Sequence, residues 1–149
     1  MKEVDLDALN QARGGFNENI GLTFVAASED EVVAELTVKP ELQQPYGIVH
    51  GGVHCAVIET VCSTGAAIAA MRNNQSVVGL ENSTSFIRAV REGKLTCRAT
   101  PVTRGRKSQV WAGTVTDESG RTVATGRVRL LCLDSGSMLA GETVGLGGG

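Results

Sequence analysis

The chain has 149 residues, 42% of them hydrophobic and 20% charged, a composition that suits one globular domain with a substantial core. A formal net charge of −2 leaves no electrostatic footprint for nucleic acid, so an anion site must come from a local cluster. Aromatic residues make up only 3%, so the core is expected to be built from Val, Leu, Ile and Ala with backbones in close approach.

In chain order, Met1 to Asp7 lacks the apolar run of a secretion signal, which points to a cytoplasmic protein. Residues 3–13 predict a short amphipathic helix with Val4, Ala8, Leu9 and Ala12 on one side, stopped by Gly14-Gly15. Leu22–Ser28 and Glu31–Lys39 read as two strands about a Glu-Asp-Glu turn, the second alternating Ala34, Leu36 and Val38 with Glu35, Thr37 and Lys39. A loop with two prolines follows, from Pro40 to Val49, and then one long helix from Gly51 to Arg72. This most apolar segment is rich in small residues and is interrupted by His54 and Glu59, so it reads as a buried helix, and no membrane partner is expected.

Beyond Asn73-Asn74 the period changes to two. Ser76–Val90, Lys94–Thr103, Ser108–Asp117 and Thr122–Leu133 predict four strands joined by short turns, hence antiparallel neighbours. The order ββ–long helix–ββββ is α+β, with about six strands in a curved sheet wrapped around one helix. The expected organisation is a lead-in over residues 1–20, a domain over 21–133 and a Gly-rich, mobile tail over 134–149. Cys55, Cys62, Cys97 and Cys132 form no Cys-x-x-Cys pair and read as reduced core residues, with Cys62 a candidate reactive thiol beside Glu59.

The most informative stretch runs from Tyr46 to Glu59. It turns from loop to helix at Gly51-Gly52, where a helix N-terminus offers free backbone N–H groups and a partial positive charge. Two turns on it places a carboxylate, Glu59, among Ala56, Val57, Ile58, Val61 and Cys62. A buried acid needs a partner or a task, and this pair of features can polarise a carbonyl and activate water. Ser63 follows one turn later on the same face, placed to hold that water or the carboxylate, or to bond back to the Glu59 carbonyl. His50 and His54 have a metal-ligand spacing, but no third ligand stands at a useful offset and there is no His-Glu-x-x-His pattern, so no metal is expected.

Spacing carries a further consequence. Glu59 lies eight residues beyond Gly51, about 12 Å along one helix. One carbonyl can hardly meet both in a near-attack pose of ~3–3.5 Å. A dimer in which the glycine N–H comes from one copy and Glu59 from the other resolves the conflict, with two shared sites.

Several motifs in this order resemble the hotdog-fold thioesterases of the PaaI-like group, including the Arthrobacter-type 4-hydroxybenzoyl-CoA enzymes and the thioesterases that proofread enterobactin synthesis. They are Gln44-Pro-Tyr-Gly47, His50-Gly51-Gly52, Glu59 with Thr60 and Ser63, Gly79-Leu-Glu-Asn82, Arg88 to Gly93, and Gly105-Arg106. The resemblance spans roughly residues 20–133. It implies hydrolysis of an acyl-CoA, or of an acyl group on a carrier protein, to the acid and free thiol. No cofactor is implied, and dimers are expected to pair into a dimer of dimers.

In that frame the N–H of Gly51 or Gly52 binds the thioester oxygen, Glu59 is nucleophile or general base, Gln44 orients the thioester and His50 fixes the loop or reaches the substrate. Where enterobactin-type members carry a histidine before the position of Arg88, this chain has Ser85-Phe86-Ile87, which implies a more apolar acyl pocket. Asn82, Ser83 and Ser85 are expected at the mouth of that pocket. Arg88, Arg104, Arg106 and Lys107, with Ser108, are expected to gather around the coenzyme A nucleotide. Each has a plainer structural reading: a tight turn at the glycines, a satisfied acid at Glu59, a loop amide at Gln44, core packing at Phe86 and a solvated hairpin tip at the cations. Two rival functions on the same fold are a non-catalytic acyl-CoA sensor and a hotdog hydratase or dehydratase.

Overall fold

The computed structural model describes residues 4–144. Two short helices, α1 (Leu6–Gln11) and α2 (Gly15–Asn19), precede strands β1 (Thr23–Ala27) and β2 (Val32–Thr37). The long helix α3 (Gly51–Met71) follows, then β3 (Gln75–Phe86), β4 (Lys94–Arg104), β5 (Ser108–Thr116) and β6 (Thr122–Asp134). The six strands form one antiparallel sheet in the order β1-β2-β4-β5-β6-β3, and α3 packs against β2, β3, β4, β5 and β6. This is the expected α+β plan, a sheet wrapped on a single helix.

The lead-in differs from expectation. Gly14-Gly15 does not end helical structure; it separates α1 from α2, Gly14 taking φ +82° at the joint. The side chain of Asn10 then accepts from the Phe24 N–H (2.8 Å) and donates to the Phe24 carbonyl (3.0 Å), tying α1 to β1. Thr60 on α3 donates to Asn17 at 2.8 Å, so the lead-in is also fastened to the central helix. After β6 the chain makes a small hairpin of β7 (Met138–Leu139) and β8 (Glu142–Thr143), where the sequence reading has only a tail; residues 145–149 of that tail lie outside the described residues.

Helix α3 is long and apolar enough to cross a membrane by length and composition, yet the buried stripe His54, Ile58, Val61, Cys62, Gly65 faces the sheet. The core is chiefly aliphatic, as its composition suggests, and its buried aromatics are Phe24 and Trp111. Trp111 on β5 is fully buried against Gly65, whose missing Cβ would stand 2.4 Å from the indole. Its N–H donates to Gln109 Oε1 at 2.9 Å, and Gln109 Nε2 donates to the Ala66 carbonyl at 3.0 Å, so no polar atom of the indole is left unpaired. All four cysteines are free thiols, Cys62 and Cys97 buried. Burial, with Cys97 and Glu59 nearby, pushes the Cys62 thiol well above its ordinary value, which removes it as a reactive thiol.

Candidate active site

The site is a seam between the N-terminal half of α3 and the edge strand β3, which run side by side in opposite directions. Phe86 lies against Gly51, Asn82 against Cys55 and Glu59, and Gly79 against Glu59. Glu59 is half-buried, and each carboxylate oxygen accepts one hydrogen bond: Oε1 from the Ser63 hydroxyl (3.2 Å) and Oε2 from the Asn82 amide (3.1 Å). Ser63 therefore bonds the carboxylate and not the Glu59 carbonyl. A Cβ on Gly79 would fall 2.5 Å from Oε1, so glycine there is what lets the carboxylate lie against the strand.

Asn82 is the residue whose role sequence reasoning missed. Its amide nitrogen also donates to the Cys55 carbonyl at 3.0 Å, and its oxygen accepts from the Thr84 hydroxyl at 2.6 Å. The side chain is thereby locked from both ends, and it fixes one oxygen of Glu59. It stands on the carboxylate, not at a pocket mouth. The cause is a β-bulge: the β3–β6 register slips between Gly79 and Glu81. The slip inverts the alternation, so Asn82, Thr84 and Phe86 share the face of Gly79. Ser83 and Ser85 are turned to the opposite face of the sheet. There they line an open hollow of about 300 Å³ with Thr114, Thr125 and Arg127, away from Glu59.

At the helix N-terminus, His50 is the N-cap and its Nδ1 accepts from the Gly52 N–H at 2.8 Å. Of the two expected carbonyl donors, Gly52 is thus already engaged, and Gly51 has no hydrogen-bond acceptor among the described residues. The Phe86 ring covers Gly51, its nearest atom 2.6 Å from where a Cβ would be, yet Phe86 remains 58% exposed. His54 is buried behind it, the two ring centroids 6.2 Å apart. Burial lowers the His54 pKa from its ordinary value.

The loop before α3 is pinned by Arg91, which donates to the Tyr46 carbonyl at 2.7 Å, by Gln43, which donates to the Arg91 carbonyl at 2.8 Å, and by Val49 N–H bonding Val90. Gln44 accepts from the Tyr46 N–H, closing its own turn. These contacts set the angle at which His50 enters the helix.

The expected cationic group is not gathered within one copy. Arg104, Arg106, Lys107 and Ser108 sit at the β4–β5 turn, beside the start of β3, where Gln75 donates to the Arg106 carbonyl. Arg88 follows the other end of β3, its N–H bonding Val123. The intervening strand is about 36 Å long at ~3.3 Å per residue, so the two ends cannot hold one nucleotide. Arg104 is moreover committed to Asp30 (2.9 Å) and the Glu29 carbonyl (2.8 Å). Among the described residues no group of three or more His, Cys, Asp or Glu side chains converges to hold a metal ion.

One six-stranded antiparallel sheet around a single long helix, with an acid on the helix facing the sheet's edge strand, is the hotdog arrangement. The chain belongs to the thioesterase superfamily, whose family model matches residues 46–124, and it is a thioester hydrolase. A Mycobacterium tuberculosis protein named as an esterase is 42% identical over 80% of this chain and 87% of its own length; the structure of that protein superposes with a TM-score of 0.80, covering 80% of this chain and 97% of that one. The proofreading thioesterase EntH of Cronobacter sakazakii is 35% identical, over 85% of this chain and 93% of its own length. A crystal structure of a Haemophilus influenzae thioesterase, 33% identical, superposes with a TM-score of 0.83, covering 89% of this chain and 93% of that one.

Proposed function

We propose that this thioesterase hydrolyses an acyl-CoA, with Glu59 as general base, in sites shared between two copies of the chain in the cytoplasm. The observation that carries this reading is the state of the Glu59 carboxylate: half-buried on the edge-strand side of α3, oriented through both oxygens, and still with a lone pair free on each. Such an acid is aimed and, among the described residues, unpaired by any cation, which suits proton abstraction.

In the proposed reaction Glu59 takes a proton from water as the water oxygen bonds the thioester carbon. The carbonyl electrons move onto oxygen, where the Gly51 N–H at the start of α3 stabilises them. Collapse breaks the carbon–sulfur bond, and the proton held by Glu59 passes to the departing thiolate. The products are the carboxylic acid and free CoA.

The shared site follows from the helix. Gly51 and Glu59 stand on one continuous α3, about 12 Å apart, so one chain supplies the two groups too far apart for one carbonyl. Strand β3 is a sheet edge 12 residues long, paired with β6 alone among the strands of the described residues, and Leu80, Phe86, Ile87 and nearby Met71 are exposed along it. Pairing two such edges about a two-fold axis sets the α3 helices antiparallel and brings Gly51 of one copy toward Glu59 of the other. The same pairing carries Arg88 of one copy toward the Arg106–Lys107 turn of the other, which reunites the cations for the CoA phosphates.

Active-site mixing tests this reading. Co-expressed chains carrying Glu59→Ala and Gly51→Val, each inactive alone, should regain about one working site per dimer. Heterodimers that stay inactive would overturn the shared site, and full activity in Glu59→Ala alone would overturn the mechanism.

A further inference from the structure

His54 stands outside the chemistry so far described. Its side chain is 4% exposed, and its Nδ1 is buried with no hydrogen-bond partner, one of two such side-chain atoms among the described residues. Proteins rarely bury an unpaired imidazole nitrogen without compensation. The surroundings supply no partner, but they do supply a movable cover. The neighbouring ring is Phe86, more than half exposed, at the end of β3 and laid over the first residue of α3. Turning that ring outward would open the backbone at Gly51, whose N–H is unengaged among the described residues, together with the imidazole of His54 three residues further along the same helix.

We infer that His54 is the polar floor of the acyl pocket, closed by Phe86 when empty, and that it recognises a hydroxyl on the acyl group within a few bonds of the thioester carbonyl. This rests on the acyl-CoA reading above and names the class of acyl group. A hydroxyl is the chemistry that fits, because it donates and accepts and so satisfies Nδ1 in either neutral tautomer. A carboxylate would bring a charge into a buried place with no cation beside it among the described residues, a desolvation cost that a hydroxyl avoids. A wholly apolar acyl chain would leave the nitrogen as unpaired in the complex as it is in the free protein. The Phe86 ring supplies the apolar wall for the carbon skeleton, which accounts for an aromatic and a polar group side by side in one pocket.

The test is a matched pair of substrates, butyryl-CoA and 3-hydroxybutyryl-CoA, on the full chain and on His54→Phe. The native protein should favour the hydroxylated member by about tenfold in kcat/KM, and the ratio should fall to about one in His54→Phe. No preference in the native protein, or a preference that survives in His54→Phe, would overturn the inference. A second readout does not depend on the variant folding. The chain has two histidines, so the nitrogen resonances of labelled His54 can be told from those of His50. The unreactive thioether S-(3-hydroxybutyl)-CoA should shift its Nδ1 resonance and S-butyl-CoA should not; equal shifts, or none, would sink the subsite. Absence of turnover on every acyl-CoA is a different failure, that of the thioesterase reading itself.

Discussion

Of the places where helix α3 meets the sheet through a missing side chain, two make a contrast: Gly65 and Gly79. At Gly65 the gap is filled by the Trp111 indole, fully buried, with its N–H and the neighbouring Gln109 amide all paired. At Gly79 the gap is filled by a carboxylate oxygen of Glu59, half-buried beside a sheet edge and paired only in part. The first contact is closed under the middle of the sheet, where an unmet hydrogen bond would cost stability and bring nothing. The second faces the longer of the sheet's two edges among the described residues, the edge on which the proposed pairing of two copies depends. Close backbone approach is thus a packing device at Gly65, while at Gly79 it leaves a carboxylate with open valences beside a sheet edge, where the proposed chemistry would need it.

The contrast predicts that stability and activity come apart along the same helix. Trp111→Ala should be the most damaging change to the fold, at about 3–5 kcal/mol in denaturant unfolding, because it empties the largest buried side chain and orphans Gln109 Oε1. Activity per folded molecule should change little. If Trp111→Ala left stability intact but abolished turnover, the division between a closed and an open contact would be wrong.

Glu59→Ala should do the reverse. A loss of about 10³-fold in kcat, near 4 kcal/mol in the barrier, is expected, with the melting temperature held. Removing the carboxylate leaves the Asn82 amide its bond to the Cys55 carbonyl and strands no cation among the described residues, so the fold should be little changed. A melting temperature that fell with activity would make Glu59 a structural acid.

Asn82→Leu sharpens the comparison at the open contact. It leaves the Cys55 carbonyl and one oxygen of Glu59 without their donor, and frees the carboxylate to turn. Stability should fall by about 1–3 kcal/mol, the usual cost of stranding a buried partner. The diagnostic readout is kinetic: an Asn82 that acts by orienting Glu59 predicts that kcat falls about tenfold with KM nearly unchanged. A rise in KM alone would return Asn82 to a substrate-binding role.

That role for Asn82 shows where the sequence stops being readable. The strand periods, the helix and its glycine-to-glutamate spacing are carried by local pattern, and the long helix and the strands follow it within about two residues, except that β3 ends at Phe86, four residues before the expected Val90. The facing of β3 is not, because one bulge after Gly79 inverts every later side chain, exchanging Ser83 and Ser85 for Asn82, Thr84 and Phe86. Nothing in the run Gly79-Leu-Glu-Asn82 marks which residue is extra. The separation of Arg88 from the β4–β5 turn is likewise a matter of strand register, which the composition of neither segment encodes. Trp111 is conspicuous in the sequence as the single tryptophan, but its partner Gly65 is one of 19 glycines, and only the fold pairs them.

His50→Ala probes the helix start. The Nδ1 cap on the Gly52 N–H should be worth about 1 kcal/mol of stability, as other N-caps are. Removing it also releases Gly52 as a second donor at the carbonyl. Kinetics on a panel of acyl-CoAs should therefore show a loss smaller than that of Gly51→Val; a larger loss would mean that the imidazole itself touches the substrate.

The smallest effect is set by His54 and appears only with pH. Its folded-state pKa is lowered by burial, so the unfolded chain binds a proton that the folded protein refuses. Above the ordinary imidazole value of about 6.5 both states are neutral and stability is complete. As pH falls from there toward the depressed folded value, the unfolded state gains protons first and stability declines, at no more than about 1.4 kcal/mol per pH unit for one group. Urea unfolding between pH 7 and pH 5 should show this decline in the native chain and lose His54's share of it in His54→Phe, where there is no imidazole to protonate. His50 is exposed and capping, so His50→Ala should leave the slope that belongs to His54 in place. An identical pH profile for the native chain and His54→Phe would mean that the imidazole takes up its proton equally in the folded and unfolded states, and the closed, neutral pocket behind Phe86 would have to be abandoned.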